Sequence, residues 1–216
     1  YMSNPTTPAS IGPGEFFPVV GVGPHEKPWP EGAQYDPELL LNGDRRNVLD
    51  HYRYWTVEAI VADLDSKRHK LQIAIENWQH DLNIGSIVRT ANAFNVSGVH
   101  IVGKRDWNKR GAMVTDRYLT VHHHPTVEDF AVWCKENELP IIGIDNVPGS
   151  KQLESAQLPE KCVLLFGQEG AGMSDEGIAV CEVLYEINQY GSTRSMNASA
   201  AGAIAMYHWA LQHLPR

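Results

Sequence analysis

At Lys70 the chain takes on a period that it keeps changing to its end. Residues 70–76, KLQIAIE, alternate apolar Leu71, Ile73 and Ile75 with other residues, as a strand does. After the polar stretch Asn77–Asn83, apolar Ile84, Ile87, Val88, Ala91 and Phe94 recur at steps of three or four, as on a helix over Ile84–Phe94. The switch then repeats. Strands are predicted over Val99–Val102, Tyr118–His123, Pro140–Asp145, Cys162–Phe166 and Val183–Ile187. Helices are predicted over Val127–Asn137, Asp175–Cys181 and from Asn197 onward. Strands separated by helices specify an α/β layer fold, a mostly parallel sheet flanked by helices.

The first residues read differently. Residues 1–37 hold eight of the thirteen prolines, with Gly12, Gly14, Gly21, Gly23 and Gly32 among them, and predict an extended arm. Residues 38–66 predict a helical extension. Pro37 suits a first helical turn, and Thr56 is an N-cap before Val57, Ile60, Val61 and Leu64. Residues 67–216 then form the main domain. The arm and helices are expected to cover an edge of that domain or of a dimer. No apolar run reaches the roughly 18–20 residues of a membrane span, and no basic stretch leads into an apolar one as in a secretory signal. Cys134, Cys162 and Cys181 lack metal-ligand spacing and read as reduced thiols, which points to a cytoplasmic protein.

Net charge is −8, which by itself argues against a nucleic-acid partner. Its distribution reverses that. Residues 1–66 carry 4 basic and 10 acidic side chains, net −6; residues 118–216 carry 5 and 12, net −7. Residues 67–117 carry 9 and 4, net +5, with Lys104, Arg105, Lys109, Arg110 and Arg117 close together in a basic connection. A local cluster of this kind steers an anionic partner.

Ligands of parallel sheets bind outside the carboxyl ends of the strands. Three polar loops fall there, each leading into a helix: Asn77–Asn83, Gly167–Ser174 and Asn188–Asn197. The middle one, GQEGAGMS, lets the backbone approach a ligand. It is a poor dinucleotide-binding loop, because its spacing is not GxGxxG and Glu169 stands where a pyrophosphate would bind. In the helix after the first loop, Arg89 lies among the apolar positions Val88 and Ala91 and needs an anionic or carbonyl partner, either a buried ion pair or a ligand. The third loop ends at Asn197, a good N-cap. Beyond it Ala200, Ile204, Tyr207, Leu211 and Leu214 give the helix an apolar face, and its many alanines with Gly202 allow another backbone to come close.

Three segments together carry a family resemblance: NIGSIVRTA (83–91), LFGQEGAGMS (165–174) and INQYGSTRSMNAS (187–199). In order and spacing they resemble the SpoU/TrmH-type RNA 2′-O-ribose methyltransferases of the SPOUT class, over about residues 70–213. The resemblance implies a C-terminal trefoil knot, with S-adenosyl-L-methionine held by backbone groups at Gly167, Ile187 and Met196. It implies Arg89 at the ribose 2′-hydroxyl, with Asn83, Glu169, Ser195 and Asn197 around it. It implies an RNA partner, tRNA or rRNA, and a homodimer packed through the knot region. No metal is implied. This chain departs from the family's pattern at Asn188, where proline is usual, at Met196, where leucine is usual, and at Asn95, where glycine is common. Methionine is close to leucine in size, and asparagine tolerates left-handed backbone.

His122-His123-His124 is the one run that suggests a metal. Successive strand residues point to opposite faces, so three in a row do not converge on one ion. The alternative to an enzyme is a non-catalytic RNA-binding relative, and the presence of every polar motif residue counts against it.

Overall fold

The computed structural model describes residues 21–79 and 83–215, which form two compact units with a boundary inside a helix at residues 60 and 61. Residues 1–20 of the expected arm lie outside the described residues. In the first unit, helix α1 (Pro37–Asn42) starts at Asp36, whose carboxylate accepts from the N–H groups of Glu38 and Leu39. Isolated antiparallel bridges join Val22 to Asp44 and Tyr35 to Trp55. Asp44 is fully buried. Burial alone would raise its pKa, but the hydrogen bonds from the Arg46 side chain and from the N–H groups of Arg46 and Tyr54 bring it down to about 2. Thr56 caps helix α2 (Val57–Asp65) by accepting from the Ala59 N–H at 3.1 Å.

The second unit alternates strands and helices: β1 (His69–Asn77), α3 (Asn83–Ala93), β2 (Val96–Gly103), β3 (Val121–His124), α4 (Val127–Glu136), β4 (Ile141–Ile144), β5 (Lys151–Gln152), β6 (Cys162–Phe166), α5 (Asp175–Val180), β7 (Val183–Glu186) and α6 (Ala198–His213). The seven strands lie in the order β3-β2-β1-β6-β4-β7-β5, and every pairing is parallel. The sheet therefore has the mostly parallel character read from the alternation of periods. Two elements differ in detail. Residues Thr115–Tyr118 form a 3-10 turn where a strand start was predicted, so β3 begins at Val121; the two-residue edge strand β5 carries no periodic signal.

Alternation along the strands sorts side chains between two cores. Leu71, Ile73 and Ile75 of β1 and Cys162, Leu164 and Phe166 of β6 face the layer of α3 and α6. Ala74 of β1 and Val163 and Leu165 of β6 face the layer of α4 with Phe130 and Cys134. Both faces of the central strands are covered, so β6 reads as an unbroken apolar run. Burial pushes the thiols of Cys134, Cys162 and Cys181 up to about 12, which keeps them unreactive.

Helix α6 corrects one expectation. The face of Ala200, Ile204, Tyr207 and Leu211 is not the buried one: Ile204 is 42%, Tyr207 57% and Leu211 44% exposed. The buried face is Gly202, Ala205, Met206, Trp209 and Ala210, and Gly202 comes against Ile87 of α3. Asn197 caps the helix as read, its side-chain oxygen accepting from the Ser199 N–H at 3.0 Å. Asn95 takes the left-handed conformation, φ 46°.

Candidate active site

The carboxyl ends of β1, β6, β4 and β7 lie side by side, and their loops meet there. The loop Gly167–Ser174 is folded tightly. Gln168 and Gly172 exchange two backbone hydrogen bonds, and Gly170 and Gly172 have positive φ. Gly167 has no room for a side chain, since a Cβ there would stand 2.2 Å from the backbone of Gly172 and Met173.

Neighbouring strand ends pin this loop. Glu76, fully buried near the end of β1, accepts from the Ser174 N–H at 2.7 Å and from its hydroxyl. Asp145, just after β4, accepts from the Met173 N–H at 2.7 Å. The Gln168 side-chain oxygen accepts from the Trp78 N–H at 2.9 Å. Sequence reading missed Glu76 and Asp145. The signal was present: each is an acidic residue ending or following an apolar strand, IAIE and IIGID.

Of the predicted site residues, three are brought together. The Asn83 side-chain amide donates to Glu169, the Asn197 amide donates to Asn83 Oδ1 at 2.8 Å, and the same amide lies 3.4 Å from Glu169 Oε1. One residue from each of the three motif segments thus meets the others at this junction. Arg89 sits six residues along α3 from Asn83, roughly 9 Å at 1.5 Å per residue. It is exposed, with no hydrogen bond or ion pair among the described residues, so the buried ion pair is ruled out for it. Ser195 is exposed and likewise makes no side-chain hydrogen bond among the described residues. Gly167 is buried, whereas Ile187 and Met196 are half-buried, Ile187 against the α3–α6 core.

The third loop is open backbone. From Gln189 to Met196 no N–H group is hydrogen-bonded among the described residues. Its shape is held from outside by Asn146, whose side chain donates to the Arg194 carbonyl at 2.9 Å, and by Glu154, which accepts from the Asn188 N–H at 3.1 Å. A side chain at Gly170 or Gly191 would meet nothing within 4 Å. Free backbone donors beside an uncrowded glycine loop fit a polar nucleoside-type ligand. Among the described residues no group of three or more His, Cys, Asp or Glu is placed to hold a metal ion, and no helix is long and apolar enough to cross a membrane.

Residues 70–207 match the model of the SpoU rRNA Methylase family. The chain is 25% identical over 147 residues to the tRNA (guanosine(18)-2′-O)-methyltransferase of Borreliella burgdorferi, covering 67% of this chain and 67% of that protein. It is also 25% identical over 147 residues to the Escherichia coli strain K12 protein of the same name, covering 67% of this chain and 64% of that protein. Two solved structures resemble it in fold. The A. aeolicus TrmH/SpoU tRNA modifying enzyme has TM-score 0.63 and 22% identity, over 72% of this chain and 83% of the other. The SpoU methyltransferase AviRb from Streptomyces viridochromogenes, in complex with the cofactor AdoMet, has TM-score 0.62 and 23% identity, over 68% and 62%.

Proposed function

Because the chain belongs to the SpoU rRNA Methylase family, we propose that it methylates a ribose 2′-hydroxyl of structured RNA, tRNA or rRNA, using S-adenosyl-L-methionine. The observation that carries this reading is the Asn83–Glu169–Asn197 junction, with Arg89 exposed on the same helix as Asn83 and engaged by no protein group among the described residues. The names of the Borreliella and Escherichia relatives support the reaction and the RNA class.

When bound, S-adenosylmethionine supplies an electrophilic methyl group on a sulfonium. In this reading, backbone groups at Gly167, Ile187 and Met196 hold it. Arg89 anchors a phosphate and aims the 2′-hydroxyl, and its fixed positive charge stabilises the oxygen as charge develops there. An arginine keeps its proton, so the hydroxyl proton passes to solvent rather than to Arg89. Asn83, Glu169, Ser195 and Asn197 shape the polar wall around that oxygen. With the cofactor bound, these residues would hold the 2′-hydroxyl in line with its methyl group, and that alignment would lower the barrier to transfer.

The wider architecture follows from the same reading. Residues 67–216 are the catalytic domain, preceded by an arm (1–37) and a helical extension (38–66), in the cytoplasm. The segment from β7 to α6 is threaded as a trefoil knot. What supports this is that β7 lies on the β4 side of β6, while α6 packs on α3, over the β1 side. The molecule is a homodimer through α6, supported by the exposed row Ile204, Tyr207 and Leu211.

Incubation with methyl-labelled S-adenosylmethionine and either unfractionated tRNA or rRNA, followed by mass spectrometry of the nucleosides, tests the activity. We expect a 2′-O-methyl mark in one RNA. Arg89→Ala should bind the cofactor as before, by calorimetry, and lose transfer. An unchanged rate in that variant overturns the role given to Arg89. A wild-type chain that binds RNA but not the cofactor is the non-catalytic relative instead.

A further inference from the structure

The connection between β2 and β3, residues 104–120, is the basic stretch whose sequence points to an anionic partner, and the site described above gives it no place. It seats directly on the first turn of α3. A Cβ on Gly85 would stand 2.8 Å from the Ala112 N and 2.9 Å from the Asn108 carbonyl, and one on Gly111 would stand 2.9 Å from the Ser86 N. The connection is also tied at its start, where the Asn77 amide donates to the carbonyls of Lys104 and Asp106, at 2.8 and 3.0 Å. It is braced internally, where the Thr115 hydroxyl donates to the Ala112 carbonyl at 2.6 Å, and is tied near its end, where Arg68 donates to the Tyr118 carbonyl at 2.6 Å. This is a fixed strap beside Asn83.

Two features of the strap have no use in packing. Lys104, Arg105, Arg110 and Arg117 are exposed, and none of their side chains has a hydrogen bond or ion pair among the described residues. Elsewhere in the unit four of the eight described cations are answered, Lys67 by Asp63, Arg68 by Asp65, Lys70 by Glu160 and Lys161 by Glu138, and the other four, Arg89, Lys135, Lys151 and Arg194, are scattered over separate elements. On the strap only Lys109 is paired, with Asp116. At its tip Met113 and Val114 are 59% and 54% exposed, and both have left-handed backbone, φ 48° and 66°. For a β-branched residue that conformation is costly, and a side chain more than half exposed gains little from packing to offset it.

We propose that this strap grips the RNA strand whose ribose enters the site. Lys104, Arg105, Arg110 and Arg117 hold backbone phosphates, and Met113 and Val114 present an apolar tip to a base. The inference rests on the reading of the chain as an RNA methyltransferase. Charge complementarity selects the occupant: four unanswered cations stand on a chain of net charge −8, on the strap packed against the helix that carries Asn83 and Arg89. An apolar side chain beside phosphate contacts suits a base face.

Filter binding with labelled unfractionated tRNA and with total rRNA, over a range of salt, tests it. Arg110→Ala/Arg117→Ala should weaken binding and reduce the salt slope by about 1.5. Lys135→Ala/Lys151→Ala removes the same charge from α4 and β5 and should leave the slope nearly unchanged. Val114→Gly suits the left-handed backbone, so it should keep or raise Tm while weakening RNA binding roughly threefold. Cofactor affinity should be unmoved in all three. If wild type binds RNA and the Arg110/Arg117 and Lys135/Lys151 doubles lose it equally, or Val114→Gly binds RNA as wild type does, the strap is not the grip, although the enzyme reading survives. If wild type binds neither RNA, the enzyme reading itself fails, and the strap with it.

Discussion

Asn197 joins two kinds of work in one side chain. Its oxygen caps α6, accepting from Ser199, and its amide reaches Asn83 and Glu169. Asn197→Asp keeps the cap acceptor but removes the amide donor and sets a second carboxylate against Glu169. We expect methyl transfer to fall about 10- to 100-fold, since misplacement by about an ångström has that effect, with under about 1 kcal/mol lost in urea unfolding. Single-turnover rates against unfolding midpoints separate the two; an unchanged rate would remove the junction from catalysis. At this scale the sequence was a good guide to convergence: Asn83, Glu169 and Asn197 come from distant segments and meet. It left Arg89 open between a buried ion pair and a ligand, and its exposure removes the first. Flanking apolar residues suggest burial, but at 100° per residue Arg89 turns away from Ile84, Ile87, Val88 and Ala91, which are buried.

At the scale of elements, β2 and β3 carry a pH response. His100 of β2 is fully buried, with its ring against His122, His124, Phe130 and Trp133 and hydrogen bonds to Gln72 and His124. Burial pushes its pKa down to about 2, helped by His122 and His124. Burial also lowers His122 and His124; nearby Asp129 acts the other way on His124. These rings stay neutral in the fold and charge freely when unfolded, near pH 6.5. The contribution of His100 is therefore complete above about pH 6.5 and is lost as pH falls from there toward about 2, and the lowered His122 and His124 act in the same direction. Urea midpoints should decline through this window, and His100→Gln, which keeps a polar partner for Gln72, should decline less steeply. Equal slopes would contradict the cluster. The alternation rule correctly put His123 on the opposite side, where it donates to the Gly103 carbonyl at 2.8 Å. What the run concealed was its partner on the next strand, since parallel register sets His100 beside His122. Helix α6 failed for a different reason. Apolar residues are spread around it, so periodicity cannot choose the buried face, and its contacts with Ile87 of α3 and with residues 156–159 do.

At the scale of the whole molecule, that second apolar face of α6 is what a dimer reading must use. Ile204→Lys/Tyr207→Lys changes two exposed side chains outside the buried face of α6, so the fold should persist while sedimentation velocity shows a monomer. A dimer of unchanged affinity would move the interface elsewhere. The layered parallel sheet was legible because alternating periods admit few other arrangements. The strand order was not, because nothing in KLQIAIE or CVLLF tells that they are neighbours.

That order has a consequence for how the chain is made. β6 pairs with β1 on one side and β4 on the other, yet Leu71 and Cys162, which stand opposite each other, are 91 residues apart. During synthesis, at about 5–20 residues per second, β1 waits roughly 5–20 s for its neighbour. Throughout that interval an apolar strand edge at the centre of the future sheet stands unpaired, and with it the ends that will hold the Gly167–Ser174 loop. Chaperone demand and aggregation during expression should therefore concentrate on this one late insertion.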